Sequence, residues 1–343
     1  MYVVLVAPPG RARKGTAMGP GLTFLEDLGV KLAAEATTRE SLIRELRNCN
    51  DNIVHPDGKI ESHASLTIYS EELTVFLGYQ NRQLINDLTD WYDCRSRWVY
   101  RTKNMGTDDI LGVWVNLFGA TTPDMIQTAM PIETIGGGLA SRMIFVYEHK
   151  KDKIVPYTFL TPEEIAIREN LMKDLQQIHI LQGEFKPSQG FMEMWIDWYT
   201  AQGEAPFMDD KLAGYVERRP AHTLKLSMVL NASRTNSMIL EREDFERAVD
   251  ILARTEQKMP LTFGGVGKSN SSDTMHKVMT EIALQKECTV SHLMGRFYRD
   301  ISKWELEKMI ESLEVMGFIQ LFFKEHQMMI VYNPKCKVSN NFE

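Results

Sequence analysis

The sequence places Lys14-Gly15-Thr16 directly after an apolar run, Tyr2 to Ala7, and a turn, Pro8-Pro9-Gly10. Lysine, glycine and a hydroxyl at that spacing are the components of a phosphate-binding loop. Backbone N–H groups of the loop and the positive end of the following helix hold the α and β phosphates, and the lysine reaches the outer pair. The expected cradle is Pro9, Gly10, Arg11, Ala12, Arg13, Lys14, Gly15 and Thr16. The usual pattern, G-x-x-x-x-G-K-[ST], sets Pro8 and Arg13 at the two glycine positions and Gly15 at the hydroxyl position, so Thr16 would supply the hydroxyl from the next position along. With Ala12 or Arg11 as a one-residue insertion, Ala7-Pro8-Pro9-Gly10 falls where Gly-Pro-Pro-Gly lies in related loops. An ordinary buried strand ending in a Pro-Gly turn accounts for the same residues.

Three further positions could complete such chemistry. Nucleotide hydrolysis needs one acid for hydrated Mg²⁺ and a second for the attacking water. Glu71 and Glu72, at the end of the β-branched and aromatic run Leu66 to Tyr69, are assigned to metal and water respectively, with Thr16 as the hydroxyl metal ligand. A solvated helix start is the competing reading of the two acids. Thr121 or Thr122, at the tip of the apolar run Ile110 to Phe118, is a sensor of the terminal phosphate, and Thr122 is the catalytic candidate. Arg142, at the mouth of the run Met143 to Tyr147, is either an arginine finger for a neighbouring subunit or an arginine capping a strand. Arg95, Arg97, Arg101 and Lys103 fall on one face of a strand, with Trp98 and Tyr100 interleaved. Such a row suits a nucleic-acid backbone or a solvated hairpin face.

The elements that must position these residues follow from periodicity. Tyr2 to Ala7 reads as a strand buried on both faces. Gly19-Pro20-Gly21 is expected to break the helix opened at Thr16, and Val30 to Ala34 reads as a second short strand. A helix starts at Thr37 or Thr38, residues 50–63 read as a loop or hairpin, and residues 81–93 as an amphipathic helix. From Thr161 the period is helical, with helices expected over 162–178, 188–202, 208–234 and 242–258. Arg218, Arg219 and Lys225 on the third are candidates for a second sensor, and Trp195, Trp198 and Tyr199 for core. Gly264 to Ser272 holds a second Gly-Lys-Ser but follows no strand and reads as a linker. Three helix patterns, 273–285, 290–297 and 302–316, then precede two strands, the order of a winged helix. The third helix carries Glu305, Glu307, Glu311 and Glu314 against Lys303 and Lys308, which leaves DNA or protein open as its partner. The expected domains are 1–150, an α/β phosphate-loop core of parallel strands with flanking helices; 151–262, helical; 263–272, linker; 273–335, winged helix; and 336–343, tail.

Composition bounds the partners. A net charge of −7 over 343 residues excludes a dominant basic face, so any nucleic-acid contact is local. Cys49, Cys94, Cys288 and Cys336 form no C-x-x-C pair, as expected in a reducing, cytoplasmic setting. No run approaches the ~18 apolar residues of a membrane span, so no membrane partner is expected. A first strand opening at residue 2 suggests the core of a longer protein.

Lys-Gly-Thr at the first strand, Ser-Glu-Glu-Leu at 70–73, Gly-Ala-Thr-Thr-Pro at 119–123 and Leu-Ala-Ser-Arg at 139–142 together resemble phage and mobile-element P-loop ATPases described as replicative helicases. The resemblance extends over Trp195 to Tyr199 and Arg219 to Leu226. Ser141-Arg142-Met143 is similar to the Ser-Arg-Phe finger of minichromosome maintenance helicases, and Thr122-Pro123 to their sensor Asn-Pro. The resemblance implies an ATP- and Mg²⁺-dependent DNA motor, with Lys14, Thr16, Glu71, Glu72, Thr122 and Arg142 as its ATPase set. It implies a ring of copies, expected to be a hexamer, on single- or double-stranded DNA, and a primase or other replication protein as a further partner. A nucleotide-gated switch or loader with little hydrolysis fits the departures at Arg13 and Glu71. A nucleotide kinase, suggested by Lys-Gly-Thr, lacks an acceptor lid where the helices follow.

Overall fold

The computed structural model describes residues 1–55, 58–79, 81–103, 106–130, 137–155, 159–201, 212–263, 274–275, 278–279, 281–282, 285–298, 301–315, 317–324 and 327–333. The chain divides into two compact units, Met1–Val266 and Gly267–Glu343. The first opens with β1 (Tyr2–Val6), α1 (Lys14–Asp27), α2 (Arg39–Asn48), β2 (Asn50–Val54), β3 (Ile60–Ser70), α3 (Leu73–Leu77) and α4 (Arg82–Trp91). It continues through β4 (Arg97–Thr102), β5 (Gly106–Leu111), β6 (Val113–Thr121), α5 (Pro123–Ala129) and β7 (Met143–Tyr147). Then come α6 (Pro162–His179), β8 (Lys186–Pro187), α7 (Gln189–Thr200), α8 (Ala213–Arg234), β9 (Ile239–Leu240) and α9 (Arg242–Glu256).

The central sheet has the order β2-β3-β6-β1-β7. β3, β6, β1 and β7 run parallel, and β2 is an antiparallel edge formed by a hairpin with β3. It is a mixed, mostly parallel sheet flanked by helices, an α/β core with added helical content. The burial alternation of β1 explains its central place. Tyr2, Val4 and Val6 enter the large core, and Leu5 packs on the other face with Met18, Leu22, Tyr69, Phe118 and Ala120 beneath α1.

Several expectations change. Gly19-Pro20-Gly21 does not break α1, which runs as one 14-residue helix with Pro20 inside. Proline forfeits one i→i−4 bond, but the burial of Met18 and packing of Leu22 on either side hold the helix together. The strand expected over 30–34 shrinks to a single parallel bridge, Leu32 to Thr67. The single strand expected from Ile110 is two. Gly112, at φ 57°, breaks β5 from β6, and a Cβ there would lie 2.2 Å from the Ser62 carbonyl oxygen. The boundary expected at residue 150 does not separate compact units, because Leu212, Tyr215, Leu252, Met259 and Phe263 belong to the sheet's own core. Tyr199 is 56% exposed rather than core, whereas Trp195 and Trp198 pack around Phe191 and Phe245. The expected linker lies outside the described residues apart from Phe263, and the expected tail lies outside them entirely.

Buried polar groups tie the helices down. Asp244 is fully buried and accepts hydrogen bonds from Arg234, Asn231 and the Glu241 N–H at 2.9–3.1 Å. Arg219 grips Glu256 through two bonds of 2.7 and 2.9 Å.

In the second unit the described residues between 274 and 285 are helical and are followed by β10 (Glu287–Thr289), α10 (Val290–Phe297), α11 (Lys303–Val315), β11 (Ile319–Lys324) and β12 (Gln327–Tyr332). The three strands form a sheet of order β10-β12-β11. β10 was not expected from the sequence. Among the described residues no helix is long and apolar enough to cross a membrane.

Gly112→Ala adds a Cβ into backbone and forces a left-handed residue to carry a side chain. It is expected to destabilise the first unit by at least about 2 kcal/mol in denaturant titration, and a loss below half that would contradict the close approach.

Candidate functional site

The register of the parallel strands brings the candidate residues together. Val6 pairs with Thr121, and Ser70 with Gly119, so three neighbouring strands end level with one another. From those ends leave the loop of residues 7–13, Thr122, and Glu71 with Glu72. The Ala7 N–H donates to the Thr121 carbonyl at 3.4 Å, joining loop to strand tip. Carboxyl ends of parallel strands in an open sheet are where α/β proteins bind ligands.

The loop turns at Gly10, φ 70°, and again at Arg13, φ 50° and ψ 51°. Arg13 therefore adopts the left-handed conformation that glycine takes without cost. The sequence departs from the loop pattern at Arg13, but its backbone does what a glycine there would do. Arg13 is also the N-cap of α1 and gives no side-chain cap, and the first turn carries no acid. Lys14 folds back so that its Nζ donates to the Ala7 carbonyl at 2.9 Å. Burial lowers the Lys14 pKa, and the attraction of Glu72 works against that shift.

Glu71 lies against the start of α1. A Cβ on Gly15 would be 2.9 Å from Glu71 Oε2, so glycine leaves room for the carboxylate. The Tyr69 hydroxyl donates to Glu71 Oε1 at 3.4 Å, and its pKa is pushed up to about 12 by burial and then by Glu71. Thr74 donates to Glu72 Oε1 at 2.9 Å. Thr122 caps α5, its oxygen accepting from the Met125 N–H at 3.4 Å, which leaves its own proton for another acceptor. Thr121, the alternative sensor, is fully buried.

Mg²⁺ is commonly held by one or two protein oxygens, phosphate oxygens and water; Glu71 and the exposed Thr16 at the helix start are the residues that could hold one. Among the described residues no group of three or more His, Cys, Asp or Glu converges on a metal site, and this arrangement needs none.

Arg142, expected as a finger for a neighbouring copy or as a strand cap, does not join this chain's own loop. It precedes Met143, which pairs with Tyr2, so it sits at the end of the sheet opposite the loop. The residue is only 8% exposed. Its guanidinium donates to Asp93 and to the Gly138 carbonyl, both at 3.0 Å, while Nε is buried with no partner among the described residues. Arg218 binds the same Asp93 at 3.1 Å, and Lys225 donates to the Tyr92 carbonyl at 3.3 Å. Buried His222, its pKa lowered to about 4 by burial, contacts the Ser141 carbonyl at 3.1 Å and the Tyr92 hydroxyl at 3.2 Å. Arg218 and Lys225 are thus engaged at that end of the sheet, and Arg219 is held by Glu256. Asp93 was not singled out from the sequence, where an isolated aspartate after an aromatic pair carries no pattern.

Of the row at 95–103, Arg97 and Arg101 lie on the exposed face of β4, and Arg95 and Lys103 flank the strand. Arg97 pairs bidentately with Asp109 on β5 at 2.6 and 2.8 Å, Arg95 pairs with Asp90, and Arg101 donates to Thr107 at 3.1 Å. Lys103 is exposed at the hairpin end. The aromatics do not stand beside the cations. Trp98 faces inward onto Trp91 and donates to Asp90 at 3.0 Å, and Tyr100 lies under Arg39.

A scan of the sequence against protein-family models and a search of curated proteins gave no match.

Two outcomes follow. Arg13→Gly relieves the left-handed strain and is expected to stabilise the first unit by about 0.5–1 kcal/mol in denaturant titration; destabilisation would show that the arginine side chain holds the loop. For Asp93, burial raises the carboxyl pKa, but hydrogen bonds and charge from Arg142 and Arg218 outweigh it and leave the pKa lowered. The stability it contributes is complete above its unfolded value of about 3.9 and is lost as pH falls through the lower folded value. Asp93→Asn should cost about 1–2 kcal/mol at neutral pH, discounted for its partial exposure, and should flatten the acid limb of the stability curve; an unchanged limb would contradict the pairing.

Proposed function

We propose that the first unit binds a nucleoside triphosphate with Mg²⁺ at the ends of β1, β6 and β3, and that the protein is an ATP-dependent motor on DNA. The observation that carries the reading is the convergence of Lys14 at the start of α1, Glu71 against Gly15, and Glu72 and Thr122 on adjacent strand tips. Lysine exchanges the Ala7 carbonyl for phosphate oxygens. Glu71 and Thr16 hold the metal, Glu72 orients and deprotonates water, and Thr122 donates to the terminal phosphate. The parallel sheet with its loop is then a P-loop NTPase core. The second unit, with a helical stretch, two further helices and a three-stranded sheet, is read as a winged helix. Its α11 bears Glu305, Glu307, Glu311 and Glu314, a charge that favours a protein partner, such as a primase or another replication protein, over DNA.

DNA would lie along the exposed cations of β4 in a ring of copies, a hexamer by the resemblance. Their existing pairs with Asp90 and Asp109 are solvent-exposed and cost little to exchange for phosphates. A second reading, a nucleotide-gated switch that turns over slowly, is favoured by the buried, paired Arg142. Its guanidinium is engaged with Asp93 within this chain.

The test is nucleotide hydrolysis with and without single-stranded DNA. DNA-stimulated ATPase activity that falls at least about 100-fold in Lys14→Ala supports the motor. Tight ATP binding with negligible turnover supports the switch, and full activity in Lys14→Ala would remove both.

A further inference from the structure

Residues 149–153 read His-Lys-Lys-Asp-Lys and leave β7, an edge strand of the central sheet. Backbone bonds fix this segment beside the loop. The Glu148 N–H donates to the Val6 carbonyl at 2.9 Å, and the Lys151 N–H to the Arg11 carbonyl at 3.2 Å. The Arg11 guanidinium also meets His149 Nε2 at 3.1 Å. Arg11, Arg13, Lys150, Lys151 and Lys153 are therefore gathered at one exposed end of the sheet, in a chain whose net charge is −7.

Ion pairing does not account for the cluster. Glu148 is taken by Lys258, and among the described residues Arg13, Lys150, Lys151 and Lys153 have no carboxylate partner. Asp152 is the acid left among them. The cations at β4 are in the opposite state, with Arg97 on Asp109 and Arg95 on Asp90. A phosphate must displace those carboxylates, whereas at 150–153 it displaces only water and small counterions, whose release drives binding. Lysine is a point charge without arginine's fork, and suits phosphates held without regard to sequence.

We propose that residues 149–153, with Arg11 and Arg13, form a second nucleic-acid surface of the first unit, along which Lys150, Lys151 and Lys153 take phosphates of a single strand. An anionic lipid surface offers the same charge, and the exposed Ile154 and Val155 that follow would enter it. A flat surface brought to this end of the sheet also meets Glu71 and Glu72, which leave the end of β3, whereas a strand running along the β7 edge does not. That difference favours nucleic acid. The proposal rests on the reading of DNA as the partner and adds to it a contact beside the phosphate loop, on the segment that holds Arg11.

The experiment titrates a fluorescein-labelled single-stranded oligonucleotide with the full chain and with a variant carrying Lys150→Ala, Lys151→Ala and Lys153→Ala, following anisotropy over a range of salt. The expected result is binding by the native chain that the variant weakens about tenfold or more at low salt. The slope of log K against log salt should become shallower by about 2, the loss of three single-strand phosphate contacts. Calorimetric affinity for Mg-ATP should be unchanged, because the lysines lie outside the loop. Oligonucleotide affinity and slope unaltered in the variant would overturn the surface and leave DNA to β4. Failure of the native chain to bind the oligonucleotide would overturn the DNA partner and the surface together. Phosphatidylserine vesicles that bind the native chain but not the variant, while the oligonucleotide binds both alike, would assign the cations to lipid and overturn the proposal. Should the variant lose its cooperative melting transition, crosslinking of the native chain to an oligonucleotide bearing a photoreactive group decides. Crosslinks within 11–13 or 149–153 support the surface, and crosslinks confined to other segments overturn it.

Discussion

The first turn of α1 leaves its backbone N–H groups at the mouth of the sheet with no capping side chain from Arg13 and no acid of its own. Those groups, the positive end of the helix and the Lys14 ammonium make a concentration of positive potential at the ends of β1 and β6. Glu71, reaching from β3 to Gly15, balances some of it, and the Ala7 carbonyl takes up the lysine. Everything else in the first unit serves to hold that arrangement. Met18 pins α1 to one face of the sheet, Tyr2, Val4 and Val6 pin β1 to the other, and the pairing of Val6 with Thr121 sets the level at which the loop leaves.

The opposite end of the sheet is closed by a different device. Asp93 sits between Arg142 and Arg218, and His222 bridges Tyr92 to the Ser141 carbonyl, so α8 is fastened where β1 and β7 begin. A charge cluster there holds the helices in place without touching the loop. The two ends thus differ: one carries the loop with Lys14 at the start of α1, and the other is closed by paired charges.

How much of this the sequence could reveal depends on whether a signal was local. The alternation of β1, the capping box of Thr161 and Glu164, and the helices at 162–179, 189–200, 213–234 and 242–256 were legible because short-range patterns set them. The juxtaposition of the loop with Glu71 was anticipated only through the order of motifs. Arg13 was read as a departure because sequence does not show φ, and its backbone proves to be glycine-like. Arg142, in contrast, was open between a finger for a neighbouring copy and an arginine capping a strand. Its partner Asp93 lies 49 residues away, and only the fold brings them together. Arg97 and Arg101 of the expected row share the exposed face of β4, with Arg95 and Lys103 just outside the strand, but the neutralising partners on β5 and α4 were invisible without the hairpin register. Pro20 shows the same limit from the other side: a local breaker was overruled by packing.

The measurement that bears most directly on the loop is a crystal structure grown with Mg²⁺ and a non-hydrolysable ATP analogue. The account predicts Lys14 Nζ withdrawn from the Ala7 carbonyl and about 3 Å from β- and γ-phosphate oxygens, with Glu71 in the metal's coordination or water shell. Lys14 still bonded to Ala7, with the analogue bound elsewhere or not at all, would contradict it.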